Sequence, residues 1–287
     1  MDKKNETERE YQGVRDEIRQ QHLKMKEMSL KGKITYFLDY YKFHTIIVII
    51  AIAVIAGFVH DIVSSKDYCF NAMMLNVGSN QISSTGLSDS FSDYADFDTE
   101  KYQCYIDTSS TFSLHASSQF DMVTSQKIFA MRETGELDCF VIDSEVFNHY
   151  AISELFTDMQ SCFTPEELDK YKDYLYYIDY AEVEKASEAV DNKELYESSQ
   201  NASVLTFDEL IQEAERHRHP EEMEQPVLVG IFISDSPFIK ETNAYPEAIP
   251  VFGIVNTSQR IDTCKKYLDY LFDESVDFSQ LVGQGFY

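Results

Sequence analysis

Carboxylates, hydroxyls and histidines gather at a few places in this sequence, and each grouping implies a chemistry. His217-Arg218-His219 stands beside Glu221, Glu222 and Glu224, a set of nitrogen and oxygen donors that suits a transition metal. Its i, i+2 spacing points two helical side chains about 200° apart, unlike the i, i+4 pair of a helical zinc site. It therefore reads as a solvated helix end. Asp89, Asp93, Asp96 and Asp98 offer the hard oxygens calcium prefers, but the alternating Asp/Asn pattern followed by Gly is missing. They read as an acidic loop after the first strand. Nucleophile signatures are missing too: the sequence has no Gly-x-Ser-x-Gly, Ser-x-x-Lys or Cys-x-x-Cys. Only ten glycines occur, none in a phosphate-binding pattern, so no cofactor is expected. No catalytic or metal-ligating residue is assigned.

What remains are strand ends. Ser79 and Asn80, Asp143 and Ser144, and Ser234 and Asp235 each follow an apolar, strand-like run. In open α/β sheets the ligand crevice lies beyond the carboxyl ends of the strands, where such residues could hold a polar small molecule. The same residues are also the standard formers of turns, and that reading competes.

The elements around them follow from periodicity. Tyr68–Val77, Lys101–Asp107, Leu137–Ile142, Val227–Ile233 and Ala248–Val255 read as strands. Gln81–Thr99 reads mostly as loop. Ser118–Glu133 places Phe120, Val123, Ile128 and Met131 near helical spacing and stops at Gly135; Ser144–Tyr150 is a further helix. Thr164-Pro-Glu-Glu167 is a capping box expected to open a helix through the tyrosines to Tyr180. Thr206-Phe-Asp-Glu209 is a second capping box, and Thr257 or Ser258 is expected to cap a helix to Phe272. From Glu182 to Glu224 the chain carries 13 acidic against 4 basic side chains, which predicts an exposed insertion near 182–226. The expected fold is α/β: a mixed sheet flanked by helices, in one lobe or two.

One segment decides where this fold sits. Ile46–Val59 is apolar without interruption, and extending it to 43–63 reaches the roughly 20 residues that a bilayer-crossing helix requires. Tyr36, Phe37, Tyr40, Tyr41 and Phe43 form an interfacial aromatic belt beside it. The 44 residues before the run are too many for a cleaved signal, so a signal-anchor is expected. Lys24, Lys26, Lys31, Lys33 and Lys42 precede it and only Lys66 follows closely, which orients residues 1–42 toward the cytoplasm and 67–287 outside. Residues 1–44 carry 10 Lys and Arg against 8 Asp and Glu; the remainder carries 14 against 42. So acidic a domain repels nucleic acid, which is excluded as its partner. The five cysteines all follow the anchor, where an odd count leaves one thiol unpaired and allows one or two disulfides.

Gln126–Asp143 resembles a segment of type 2 solute-binding proteins, in which a helix ends in Gly-x-x-Asp before a buried strand whose end faces an inter-lobe cleft. Ser153–Asp158 resembles the text that follows it there. Lys31–Lys42 is similar to the juxtamembrane text of uncharacterised single-span membrane proteins of Gram-positive bacteria. The resemblance implies a reduced solute-binding fold on a membrane anchor. The expected function is an extracytoplasmic binding domain for a small ligand or a membrane protein partner. An accessory subunit of a membrane complex and an anchored hydrolase are the alternatives.

Overall fold

The computed structural model describes residues 19, 29–64, 66–78, 82–115, 118–190 and 205–283. The chain divides into two compact units, residues 1–65 and 66–287. In the first, helix α1 runs unbroken from Leu30 to Ser64, 35 residues, or roughly 50 Å at 1.5 Å per residue. Its stretch Lys42–His60 is long and apolar enough to cross a membrane, and side chains 46–59 are all exposed. The boundary expected at residue 42 is thus a change of composition within one helix. Residues 7–30, whose helix formers run without Gly or Pro from Val14 to Leu30 and so read as a juxtamembrane helix, lie almost wholly outside the described residues.

The second unit is built on one six-stranded mixed sheet: β1 (Asp67–Met74), β2 (Tyr102–Asp107), β3 (Cys139–Asp143), β4 (Leu175–Asp179), β5 (Pro226–Phe232) and β6 (Pro250–Ile254), in the order β2-β1-β3-β6-β5-β4. β1 pairs parallel with β2 and β3, while β6 runs antiparallel between β3 and β5. The expected α/β class and its parallel pairs hold. A second lobe does not appear: among the described residues one sheet organises the whole unit.

Each face carries its own core. One buries Phe70, Phe91, Phe252, Tyr267 and Phe278 beneath helices α2 (Ser84–Ala95), α8 (Pro237–Thr242) and α9 (Ile261–Phe272). The other buries Phe140, Phe147, Phe156, Tyr176 and Phe232. It lies beneath α3 (Gln119–Glu133), α4 (Ser144–Ile152), α6 (Tyr180–Val190) and α7 (Phe207–Arg216). On this second face Phe147 and Phe156 stack with centroids 4.2 Å apart. Gly230 and Gly253 make room for them. The register that pairs Ile231 with Phe252 sets the two glycines opposite each other. A Cβ on Gly253 would lie 2.6 Å from Phe147, and one on Gly230 2.7 Å from it.

Several expected elements differ. The acidic loop is helix α2, because Leu87, Phe91 and Ala95 recur every fourth residue and bury a narrow stripe among serines and aspartates. Asp89, Asp93, Asp96 and Asp98 are its exposed side and the turn beyond it. The capping box at Thr164 is present but opens only α5 (Pro165–Asp169). The tyrosines beyond it form β4, where Tyr176 and Ile178 face inward at period two. Within the range 182–226 the described residues 182–190 and 205–226 pack on the sheet: Val183, Ala214 and His217 are buried, and Asp179 accepts hydrogen bonds from the Glu224 and Gln225 amides. All five cysteines are unpaired, with Cys139 and Cys264 wholly buried.

Candidate functional site

The topology creates one switch point. From β1 the sheet continues to β2 on one side and to β3 on the other, so their carboxyl ends diverge there. Asn76, in the left-handed region at φ 60°, stands at this point. Its side-chain amide donates to the Phe112 carbonyl at 2.8 Å and to Asp143 Oδ2 at 2.9 Å, and its Oδ1 accepts from the Phe112 amide at 2.9 Å. One side chain thereby ties the loop after β2 to the end of β3. Asp143 Oδ1 accepts from the Val146 amide and caps α4, and Ser144 is buried in the first turn of that helix.

Asp107, at the end of β2, is 1 % exposed. It accepts from Lys127 Nζ at 2.6 Å, from Ser110 Oγ at 2.5 Å, and from the Ser109 amide and hydroxyl at 2.9 and 2.7 Å. Burial alone would raise its carboxyl, but the Lys127, Ser110 and Ser109 hydrogen bonds outweigh it and hold the value at about 2. Because the folded value is depressed from 3.8, its contribution of about 2 kcal/mol is complete above roughly pH 4 and lost as pH falls toward 2. Asp107→Asn should flatten the stability profile over that window in urea unfolding at stepped pH. A profile as steep as that of the unaltered chain would contradict this role.

The remaining strand-end residues divide. Ile233 donates to the Pro250 carbonyl, and Pro250 pairs with Asp143, so Ser234 and Asp143 share one end of the sheet. Ser234 Oγ is buried without a hydrogen-bond partner among the described residues. Asp235 points outward, 3.6 Å from Lys240. Ser79 and Asn80 lie outside the described residues. Loops close over this end: the Gly78 amide donates to the Ala244 carbonyl at 2.7 Å, and the Tyr245 hydroxyl donates to the Val141 carbonyl at 3.0 Å. A Cβ on Gly78 would meet the Pro246 ring at 2.6 Å. His115 and Glu145 join at 2.8 Å beside them. Of the expected polar residues only Asp143, Ser144 and Ser234 are thus brought to one end of the sheet, and the atoms of Asp143, like those of Asn76 and Asp107, are occupied by the protein's own loops. Turn and cap chemistry accounts for them.

His217 corrects another expectation. It is 9 % exposed, stacks on Tyr176 at 4.2 Å, and bonds through Nδ1 to the Tyr177 carbonyl at 2.7 Å. Burial lowers its pKa, with the Tyr177 contact opposing. The helix ends at Arg216, which turns His217 into the core and leaves His219 outside with Glu221. Among the described residues no three His, Cys, Asp or Glu side chains gather around a common metal position.

Two features lie beyond what the motifs indicated. Helix α3 is capped at Ser118 by a reciprocal box with Asp121, yet it buries only Thr124 and Ile128. Phe120, Met122, Val123 and Phe129 stand 78, 63, 62 and 55 % exposed. The signal was legible: the helix carries more apolar positions than one inward stripe can hold. The second feature is an open depression between α2, the turn after α5 and the end of α9, lined by tyrosines and aspartates from segments far apart in the chain, whose carboxylates are already satisfied by Ser275 and Tyr94 and by Tyr171 and Lys170. No family model, curated protein or solved structure matches this chain.

Proposed function

We propose that this chain is a single-span membrane anchor for an extracytoplasmic binding domain that docks a protein partner through the outer face of α3. The lysines ahead of the span support an inward N-terminus by the positive-inside bias. The observation that carries the docking is the exposed apolar surface of α3. Single exposed apolar residues are ordinary, but this helix leaves four large ones bare in two pairs, Met122 with Phe129 seven apart and Phe120 with Val123 three apart, one on each flank of its outward side, more than a solvated helix usually exposes. A small ligand at the switch point is less supported, since loops close that end. The segment resembling solute-binding proteins spans α3 to β3, where the facing lobe of such a cleft is missing among the described residues.

A photo-reactive residue at Val123 or Phe129, in the full chain in its native membrane, should yield an adduct of one definite mass. The same residue at exposed Glu274 should yield none. The paired substitution Phe120→Ser, Phe129→Ser should reduce the adduct about tenfold or more, while leaving stability within about 0.5 kcal/mol because both positions are exposed. An adduct of equal yield at Glu274, or none at either helix position, would remove the docking role. A product of twice the chain mass would identify the partner as a second copy.

A further inference from the structure

The charged side chains of α3 are turned away from its outward side. Asp121 closes the cap with Ser118, Lys127 reaches Asp107 at 2.6 Å, and Arg132 Nε donates to Asn256 Oδ1 at 3.3 Å. At about 100° per residue, Met122 and Phe129 fall on one flank of the outward side and Phe120 and Val123 on the other. Gln126 and Ala130 are exposed between them. Glu133 alone brings a charge to that side, in the last turn of the helix and 3.9 Å from Arg132 Nη1. The rest of the domain is dense in carboxylates: residues 45–287 carry 14 Lys and Arg against 42 Asp and Glu.

This contrast selects a partner. Two copies of so acidic a domain repel each other across most pairs of facing surfaces. They escape that repulsion where an uncharged side meets its own image. A two-fold axis crossing the helix near Gln126 sets two copies of α3 antiparallel. Met122 of each copy then stands opposite Phe129 of the other along one flank, thioether against ring. Phe120 and Val123 of both copies fill the second flank, and the two Glu133 side chains are held at opposite ends. A patch that complements itself in this way is what an isologous contact requires, and antiparallel helices oppose their dipoles favourably.

We propose that the partner docked by α3 is a second copy of this chain, the two helices packing antiparallel about a two-fold axis near Gln126. This pairing rests on the docking role of α3 and on the single-span anchor proposed above. A helix of 15 residues offers a small contact by the measure of stable dimers. Confinement of two anchored copies to one bilayer supplies the effective concentration at which such a contact holds.

The test uses the purified full chain in phosphatidylcholine vesicles, where no other protein is present. One copy carries a photo-reactive residue at Phe129 and a second, otherwise unaltered copy carries an affinity tag. Irradiation should give a product of twice the chain mass, its linked peptide containing Met122 or Val123 of the tagged copy. Gln126→Glu in both copies, or Gln126→Lys in both, should lower the yield about tenfold by setting like charges at the axis. One copy of each should restore it, a rescue that neither misfolding nor a contact elsewhere on the domain reproduces. Gln126 is exposed, so both variants fold. No product in vesicles, a product linked outside α3, or a yield that the Gln126 variants leave unchanged overturns the pairing. An adduct of another mass in native membranes, with none in vesicles, leaves the docking role standing and refutes the second copy; absence in both removes both.

Discussion

Phe147→Ala should lower the stability of the domain by about 3–5 kcal/mol, the usual cost of emptying a buried phenylalanine site. Phe147 is wholly buried; it stacks on Phe156 and meets Tyr176 edge-on at 4.9 Å. Its ring rests in a trough floored by Gly230 and Gly253, so the surrounding backbone cannot close over the space it leaves. The glycines give the prediction a second arm. In the unaltered chain Gly253→Ala places a methyl 2.6 Å from Phe147 and 2.8 Å from Phe156, and overpacking of this sort costs about 1–3 kcal/mol. In the Phe147→Ala background the worst of those contacts is gone, and the same methyl partly fills the cavity. Its effect should then fall to near zero or reverse sign, a coupling that a double-mutant cycle reads directly. Urea unfolding followed by near-ultraviolet circular dichroism suits a chain with 19 tyrosines and no tryptophan. Additive losses in the two variants would refute the trough.

Asp138→Ala should cost about 3 kcal/mol, the lower end for a broken buried ion pair. Asp138 is wholly buried just before β3 and holds three donors together: the Asn71 backbone amide at 2.8 Å, Ser258 Oγ at 2.6 Å, and Arg260 Nε at 2.8 and 3.0 Å to its two oxygens. Burial pushes its carboxyl up, against the pull of Ser258 and Arg260. The pair is therefore no large net source of stability; its removal is costly because it leaves an amide, a hydroxyl and a guanidinium unsatisfied. Arg260 retains 27 % exposure and recovers part of its hydration, which sets the expectation at the low end. Arg260→Ala should cost less than Asp138→Ala, since the carboxylate keeps Asn71 and Ser258. Equal stability of Asp138→Ala and the unaltered chain would show that β1, β3 and the approach to α9 are joined by apolar contacts alone.

This carboxylate also explains one limit of the sequence. Ser258 looked like the cap of α9, but its hydroxyl donates to Asp138, 120 positions away, and the helix begins at Ile261 after Arg260 without a side-chain cap. Local signals were reliable where the chemistry is local. The capping boxes at Thr164 and Thr206 formed, and Ser118 added a third through Asp121. The apolar runs of β1, β3, β5 and β6 became strands at nearly their expected bounds. Errors arose where a thin pattern met a strong composition. In α2 three apolar residues had to outweigh a run of Ser and Asp, and in 175–179 a period of two followed a sound helix start. Asp143, Ser144 and Ser234 share one end of the sheet, but loop closure there by Asn76 and Tyr245 depends on contacts 36 and 104 positions apart. The depression beside α9 depends on still longer ones, such as Tyr94 with Asp273. No window of sequence contains both sides of it.

The strand order has a consequence for a chain made from its N-terminus. β6 lies between β3 and β5, yet it comes after both. Residues 67–143 can assemble one half of the sheet and residues 175–232 the other, but the two remain separate until Pro250–Ile254 arrives. Until then β3 and β5 each present an unpaired, strongly apolar edge, Phe140–Ile142 and Val229–Phe232, of the sort that pairs with other chains. A nascent chain stopped before residue 250 thus carries two adhesive edges, and one carried past 254 seals both with a single strand. Completion of the sheet is in this sense a late, all-or-none event, timed by the position of five residues in the order of synthesis.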